Sequence, residues 1–298
     1  MANGCKVCSS NNHKKIGEIK NIWKEYKDVY QCDECSLYFI NSPTDEEINS
    51  LYKNEYHNNI KNKLFETAKS KMRYARSLSQ FNFIKQTIDL KNKDICEIGA
   101  FDGLLLSLFK KNNNNVFGYE INDDARVYAQ KKYNIDLKEN FLESKSKYDI
   151  IILSHVIEHF KEPKEILIKI KSMLKKEGFI YIEVPNSPMP EECSYEMLMR
   201  YLNTEHIVNF TMDNLIKFVE SANLKVIRSE YNNYNINMDN ENLRISLLEG
   251  SLPNFNNFFD FSIFALKTLI VPNTTFIDYK NKPNKWSYGE NIRVIAQI

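Results

Sequence analysis

The apolar positions change period several times along the chain, and each change marks an element. Leu64, Ala68, Met72, Ala75, Leu78 and Phe81 recur at three- and four-residue steps, so the stretch 61–89 reads as one helix with a single apolar stripe. The pattern then shifts to short continuous runs: Ile95 to Ile98, Val116 to Ile121, Ile150 to Leu153 and Phe179 to Val184. Runs this short, rich in Ile and Val, suit strands covered on both faces, as in a parallel sheet. Helical spacing returns at 104–110, 123–132, 163–175 and 212–222, and strand-like segments follow at 224–231 and 291–298. A weaker strand is expected at 135–139. Strand alternating with helix over 92–298 predicts an α/β domain built on a mostly parallel sheet.

The first strand of that series carries the chemistry. DICEIGAFDG, residues 94–103, runs from a strand into a turn with Gly99 and Gly103, and the next strand ends near Glu120. Strand, glycine turn, helix, strand and acid form a layout for a nucleoside above the C-terminal edge of a sheet. The glycines let backbone approach the ligand, and the acid offers two acceptors to a ribose diol. A dinucleotide fingerprint would place a glycine where Glu97 stands. Glu97 would repel a pyrophosphate and suits a cationic ligand, which favours S-adenosylmethionine (SAM), with its ammonium and sulfonium, over NAD.

At these residues the chain resembles the class I SAM-dependent methyltransferases. The Glu97-x-Gly99-x-x-x-Gly103 turn, Glu120, YDIIILSHVIEHF at 148–160, EGFIYIEVPN at 177–186 and TEHIVNF at 204–210 carry the resemblance, in that order. It implies a Rossmann-like sheet of seven strands whose antiparallel last strand, 291–298, inserts beside 224–231. Residues 232–290 then become an insertion near the acceptor pocket or at a homodimer surface. It further implies that Glu97, Gly99 and Gly103 shape the methionine end of SAM and that Glu120 binds the ribose. Asn140 and Phe141 stand where the family holds adenine. Ser154 and His155 lie beside the methyl group, and Glu158 and His159 brace the next helix. Tyr56, in the helical cover at 42–91 with Tyr52 and His57, belongs to a segment that folds over the cofactor in such families.

The N-terminal residues 1–41 form a separate unit. Cys5-x-x-Cys8 and Cys32-x-x-Cys35 are two matched knuckles, and four thiolates in two tight pairs satisfy a tetrahedral, structural Zn2+ with no open position. The metal would order a segment too short to fold on its own core. Some sugar-modifying methyltransferases carry a similar N-terminal zinc module. A nucleic-acid reader should be strongly basic, whereas residues 1–40 hold six lysines against five acids.

Composition narrows the partners further. The 298 residues carry 40 basic and 39 acidic side chains, so no global field draws the chain to nucleic acid or anionic membrane. MANGCKVCSS lacks an apolar core of a signal peptide and no run reaches the length of a bilayer span, so a cytoplasmic protein with reduced or metal-bound cysteines is expected. Cys96 and Cys193 read as ordinary thiols.

The acceptor side is expected from the long loop 186–203, with Tyr195, Arg200 and Tyr201 as polar contacts. His206 closes that loop, and a rim histidine titrating near neutrality suits general-base work; His155 is the second candidate. No N/D-P-P-Y/F amine motif follows the 148–154 strand, where the sequence reads SHVIEH, so O-methylation is favoured. The expected reaction is O-methylation of a small polar acceptor, a sugar, nucleotide-sugar or surface-glycan precursor. An RNA methyltransferase that reads its target through the ribbon, and a non-catalytic SAM-binding protein, are the alternatives.

Overall fold

The computed structural model describes residues 4–20, 26–41, 44, 67–187, 202, 206–232 and 291–298. Helix α1 spans Thr67–Thr87 and lays Phe81, Phe83 and Ile84 on the sheet. The sheet strands are β4 (Asp94–Ile98), β5 (Asn115–Tyr119), β6 (Tyr148–Ser154), β7 (Leu174–Pro185), β9 (Lys225–Asn232) and β10 (Asn291–Gln297), in spatial order β5-β4-β6-β7-β10-β9. The first four in that order are parallel, and β10 runs antiparallel to both neighbours, β7 and β9. The expected insertion of the last segment beside the 224–231 strand is therefore observed.

Residues alternate between the faces of each strand, so one sequence feeds two cores. Cys96, Ile98, Ile151, Leu153, Ile180 and Ile182 meet the helices Pro163–Ser172 (α4) and Met212–Ser221 (α5) through Leu167, Ile170, Leu215 and Phe218. Ile95, Ile150, Ile152 and Tyr181 face the other way, against α1 and the helix Leu104–Lys111 (α2). Helix α3, Asp123–Tyr133, is capped by Asn122, whose side chain accepts from Ala125 N at 2.9 Å.

Among the described residues the sheet has six strands, against the seven expected. The stretch expected as a strand at 135–139 makes one parallel bridge, Tyr119 to Lys138. Ile135 and Leu137 are buried against Ala100, Leu106 and Ala129, but the chain leaves the edge at Asn140, whose side chain closes a turn on Leu142 N. Lys138 alone pairs with the edge strand, donating to Gly118 O at 2.9 Å and accepting from Glu120 N at 2.8 Å, and apolar burial of Ile135 and Leu137 accounts for the rest of the pattern.

A second sheet has the order β1 (His13–Lys20), β2 (Tyr26–Cys32), β3 (Tyr38–Ile40) and β8 (Val208–Asn209). Its fourth strand comes from beyond β7. Tyr38 pairs with Asn209 and Phe39 with Val208, and Ile40 N donates to Ile207 O at 3.0 Å. Cys5, Val7, Cys32, Cys35, Leu37 and Phe39 belong to the same buried cluster as Val208, Phe210 and the sheet strands. Lys6, only 7% exposed, pairs with Glu162 at 2.8 Å. The N-terminal unit thus shares both a sheet and a core with the α/β domain. Tyr52, Tyr56, His57, Cys193, Tyr195, Arg200, Tyr201, Glu205 and residues 233–290 lie outside the described residues.

Candidate active site

A cavity of about 690 Å³ opens above the C-terminal ends of β4, β5 and β6, under α1. Its floor is the glycine turn. Gly99 has φ +73°, and a Cβ there would meet Val156 Cγ2 at 2.5 Å, so both its conformation and its neighbour exclude a side chain. Gly103, at φ +74°, opens α2. The non-glycine Phe101 also sits at positive φ, 47°. Glu120 holds that residue: its Oε2 accepts from Phe101 N at 2.9 Å and its Oε1 from Asn122 N at 2.8 Å. The carboxylate is thereby fixed at the end of β5, and each oxygen keeps a lone pair for a ligand.

Glu97 reaches the same cavity from β4. It is 5% exposed, and its Oε2 is buried without a hydrogen-bond partner. Burial, then the neighbouring Asp102 and Glu120, push its carboxyl well above the usual range, with Arg76 opposing. Burial raises Asp102 and Glu120 as well. A buried acceptor without a donor, in a cluster of acids, is a place for a cationic ligand group. The residues present therefore fit the ammonium and sulfonium end of SAM.

Sequence reasoning missed the contribution of α1. Arg73 contacts Asp102 at 3.3 Å, and Arg76 donates to Ser154 Oγ at 2.9 Å. Gln80 donates to Ser154 Oγ and to Glu183 Oε1, both at 2.7 Å. The available signal was a set of polar residues at three- and four-residue steps, Arg73, Arg76, Ser77 and Gln80, interleaved with the apolar stripe. Ser154, His155, Asn140 and Phe141 also line the cavity. Phe141 is buried between Tyr119 and Phe160, with ring centroids 6.3 and 6.1 Å away. Ile121 and Leu142, 53% and 49% exposed, add apolar surface that the sequence reading did not name.

The histidines form a cluster with buried acids. His155 Nε2 lies 3.6 Å from Glu183 Oε1, and His155 Nδ1 lies 3.7 Å from Glu158 Oε1. Burial pushes Glu183 up, but His155 and Arg76, with the Tyr181 hydroxyl at 2.6 Å, bring its carboxyl below the ordinary value. His159 lines the cavity and takes the ring of His206 edge-on at 4.8 Å. His206 is not among the residues that line the described cavity. Burial, then His159 and His155, push it down to about 3, so the expectation of a rim histidine titrating near neutrality is corrected: its surroundings keep it neutral.

The four knuckle cysteines come together. Cys5 and Cys35 Sγ are 3.5 Å apart, as are Cys8 and Cys32 Sγ, and all four sulfurs lie within 4.8 Å of one another. Zinc–sulfur bonds of about 2.3 Å in a tetrahedron place sulfurs about 3.8 Å apart, so this donor set fits a Zn2+ ion.

The family profile described as "Methyltransferase domain" matches residues 66–229, more than half of the chain. A ubiquinone biosynthesis O-methyltransferase of Hydrogenovibrio crunogenus is 26% identical over 117 residues, covering 36% of this chain and 48% of that protein. The chain thus spans about half the length of this curated relative. Among solved structures, magnesium protoporphyrin IX methyltransferase of Synechocystis PCC 6803 with bound SAH aligns at a TM-score of 0.50 with 14% identity, over 62% of this chain and 92% of that one. A SAM-dependent methyltransferase of Archaeoglobus fulgidus aligns at 0.46 with 17% identity, over 74% and 94%.

Proposed function

The chain belongs to the methyltransferase-domain family and is a SAM-dependent methyltransferase, and from that premise we propose that it methylates a hydroxyl oxygen of a small polar acceptor, a sugar or nucleotide-sugar. The observation that carries the oxygen reading is His155 at the cavity wall, set between two buried carboxylates. The O-methyl chemistry of the similar ubiquinone-biosynthesis enzyme supports the same atom type. The sugar class rests on the zinc-type module at the N-terminus.

Bound SAM supplies a methyl carbon activated by its sulfonium. The unpaired oxygen of Glu97 would accept from its ammonium, Arg73 and Arg76 would balance its carboxylate, and Glu120 would accept from its ribose hydroxyls. Asn140, Phe141, Ile121 and Leu142 enclose the base. Among the described residues Ser154 holds Arg76 and Gln80 in place. His155 takes the acceptor proton, and Glu158 and Glu183 stabilise the imidazolium that results, as a carboxylate does beside any catalytic histidine. His155 is preferred to His206 for this role because it reaches the cavity, and because His206 has little affinity for a proton. Cys5, Cys8, Cys32 and Cys35 hold one structural zinc. The chain works on a diffusible acceptor and not on nucleic acid.

Turnover of SAM with nucleotide-sugars, free sugars, phenols and RNA tests the acceptor class. Methyl transfer to a sugar hydroxyl is expected. With that acceptor His155→Gln should slow transfer by about 10²–10⁴-fold while SAM affinity holds. Transfer confined to phenols or RNA would replace the sugar reading, and a His155→Gln enzyme at full rate would remove that base.

A further inference from the structure

At the edge of the cavity, apart from the residues given to SAM, stands a second group of ligand-type side chains, one of which, Glu158, also lies beside His155. Glu158, His159 and His206 each bring one ligand atom within 4.8 Å of the others. Glu158 is 1% exposed, and neither of its carboxylate oxygens has a hydrogen-bond partner among the described residues. Two imidazoles lie next to it, His155 at 3.7 Å and His159 at 3.9 Å. A buried carboxylate without donors is costly, and a cation beside it offsets that cost.

The backbone shows that the grouping is built rather than incidental. A short 3-10 turn, Ile157–His159, begins the crossover from β6 to β7 and presents Glu158 and His159. His206 arrives from a segment far along the chain, just ahead of β8. Ile207 N then donates to Glu158 O at 2.9 Å, which locks the two segments at the cluster itself. His159 belongs at once to the cluster and to the cavity lining.

We propose that Glu158, His159 and His206 bind a first-row divalent metal ion through two imidazoles and one carboxylate. This donor set favours zinc, cobalt, iron or manganese over the all-oxygen coordination of calcium. Tetrahedral bonds of about 2.0–2.1 Å would draw the three atoms to about 3.3 Å from one another, a side-chain adjustment. Three protein ligands leave a position open, unlike the four-thiolate site, and His159 places it at the cavity. On the methyl-transfer reading above, that position takes the acceptor hydroxyl oxygen. The ion weakens the O–H bond, the proton passes to His155, the oxygen–methyl bond forms as the carbon–sulfur bond breaks, and the sulfonium leaves as a neutral thioether.

The test uses the full chain with zinc already in its thiolate site, titrated with Co2+. One further equivalent is expected, with visible ligand-field bands but no thiolate charge-transfer band. Glu158→Gln and His206→Gln should each abolish that equivalent while zinc content and SAM affinity stay at the wild-type level. Cobalt-edge X-ray absorption on the wild type gives the same answer without a variant: nitrogen and oxygen scatterers with an imidazole signature, and no sulfur. No added equivalent, equal uptake by wild type and both variants, or sulfur at the cobalt edge would each overturn the site. A bound ion that leaves the methylation rate unchanged would overturn its role in transfer while the site stands, so the two claims fail separately.

Discussion

At Glu97, burial and ligand chemistry pull in opposite directions. Burial raises its carboxyl well above the ordinary value, so the free protein keeps a proton there that the unfolded chain has already lost. The stability tied to that proton is complete below the unfolded carboxylate pKa and falls away as pH rises through the raised folded value. A cation against the carboxylate favours the ionised form, so SAM binding should release the proton. SAM affinity is therefore expected to rise with pH through the raised value and then level off. Glu97→Gln should flatten that profile and, at high pH, weaken binding by about 1.5–3 kcal/mol, the loss of a charged hydrogen bond. Calorimetry in buffers of different ionisation enthalpy counts the proton; binding without proton release would show that Glu97 does not face the cation. Glu183 behaves oppositely. Despite its burial, His155 and Arg76 lower its carboxyl, so its contribution to stability is present above the unfolded value and lost as pH falls through the folded one.

Among the elements, β3 links the cysteine knuckles to the histidine–glutamate cluster. Cys32 N donates to Leu37 O at the knuckle, Ile40 N to Ile207 O at the end of β3, and Ile207 N to Glu158 O at the cavity wall. Distortion of the knuckle should therefore travel along a strand three residues long. Cys32→Ser, which removes one of the four thiolates, is expected to lose the zinc and to speed hydrogen exchange at the Ile40 and Ile207 amides. The Ile151 and Ile152 amides, in the middle of β6, should stay protected. Methyl transfer should fall while SAM affinity changes little, because Glu97, Gly99, Gly103 and Glu120 stand on β4, β5 and their turn. Unchanged exchange at Ile40 and Ile207 would mean that the module is packed against the domain without supporting its site.

On the scale of the whole molecule, the strand order gathers the ends of β4, β5 and β6 at one edge, where the parallel crossovers leave a crevice. The acids at that crevice attract a cation, yet the surface as a whole is balanced, at +1. Nothing in that balance concentrates a polyanion. Titration with transfer RNA is expected to give weak binding, with a shallow dependence on salt. A steep dependence, together with methylated RNA, would bring back the nucleic-acid reading. Among the described residues no helix is long and apolar enough to cross a membrane.

Local spacing alone determined much of this protein. The Glu97-Gly99-Gly103 turn, the acid at 120 and the paired Cys-x-x-Cys knuckles each work within a few residues, so their chemistry can be read without knowing the fold. The place of the last strand beside 224–231 came instead from the resemblance to the class I SAM-dependent methyltransferases, because apolar spacing gives the elements and not their order in the sheet. What depended on distant contacts could not be read. Arg76 and Gln80 look like surface residues of a helix until α1 sets them against Ser154 and Glu183. The segment 135–139 has strand-like apolar spacing, but it pairs with the sheet edge only at Lys138 and is otherwise held by burial against α2 and α3. His206 illustrates the limit most clearly. Its type and its place after a long loop suggested a base near neutrality, but burial beside His159 and His155 set its proton affinity, and those neighbours come from another part of the chain. Proton affinity depends on solvation and nearby charge, and both of these are settled only when the chain is folded.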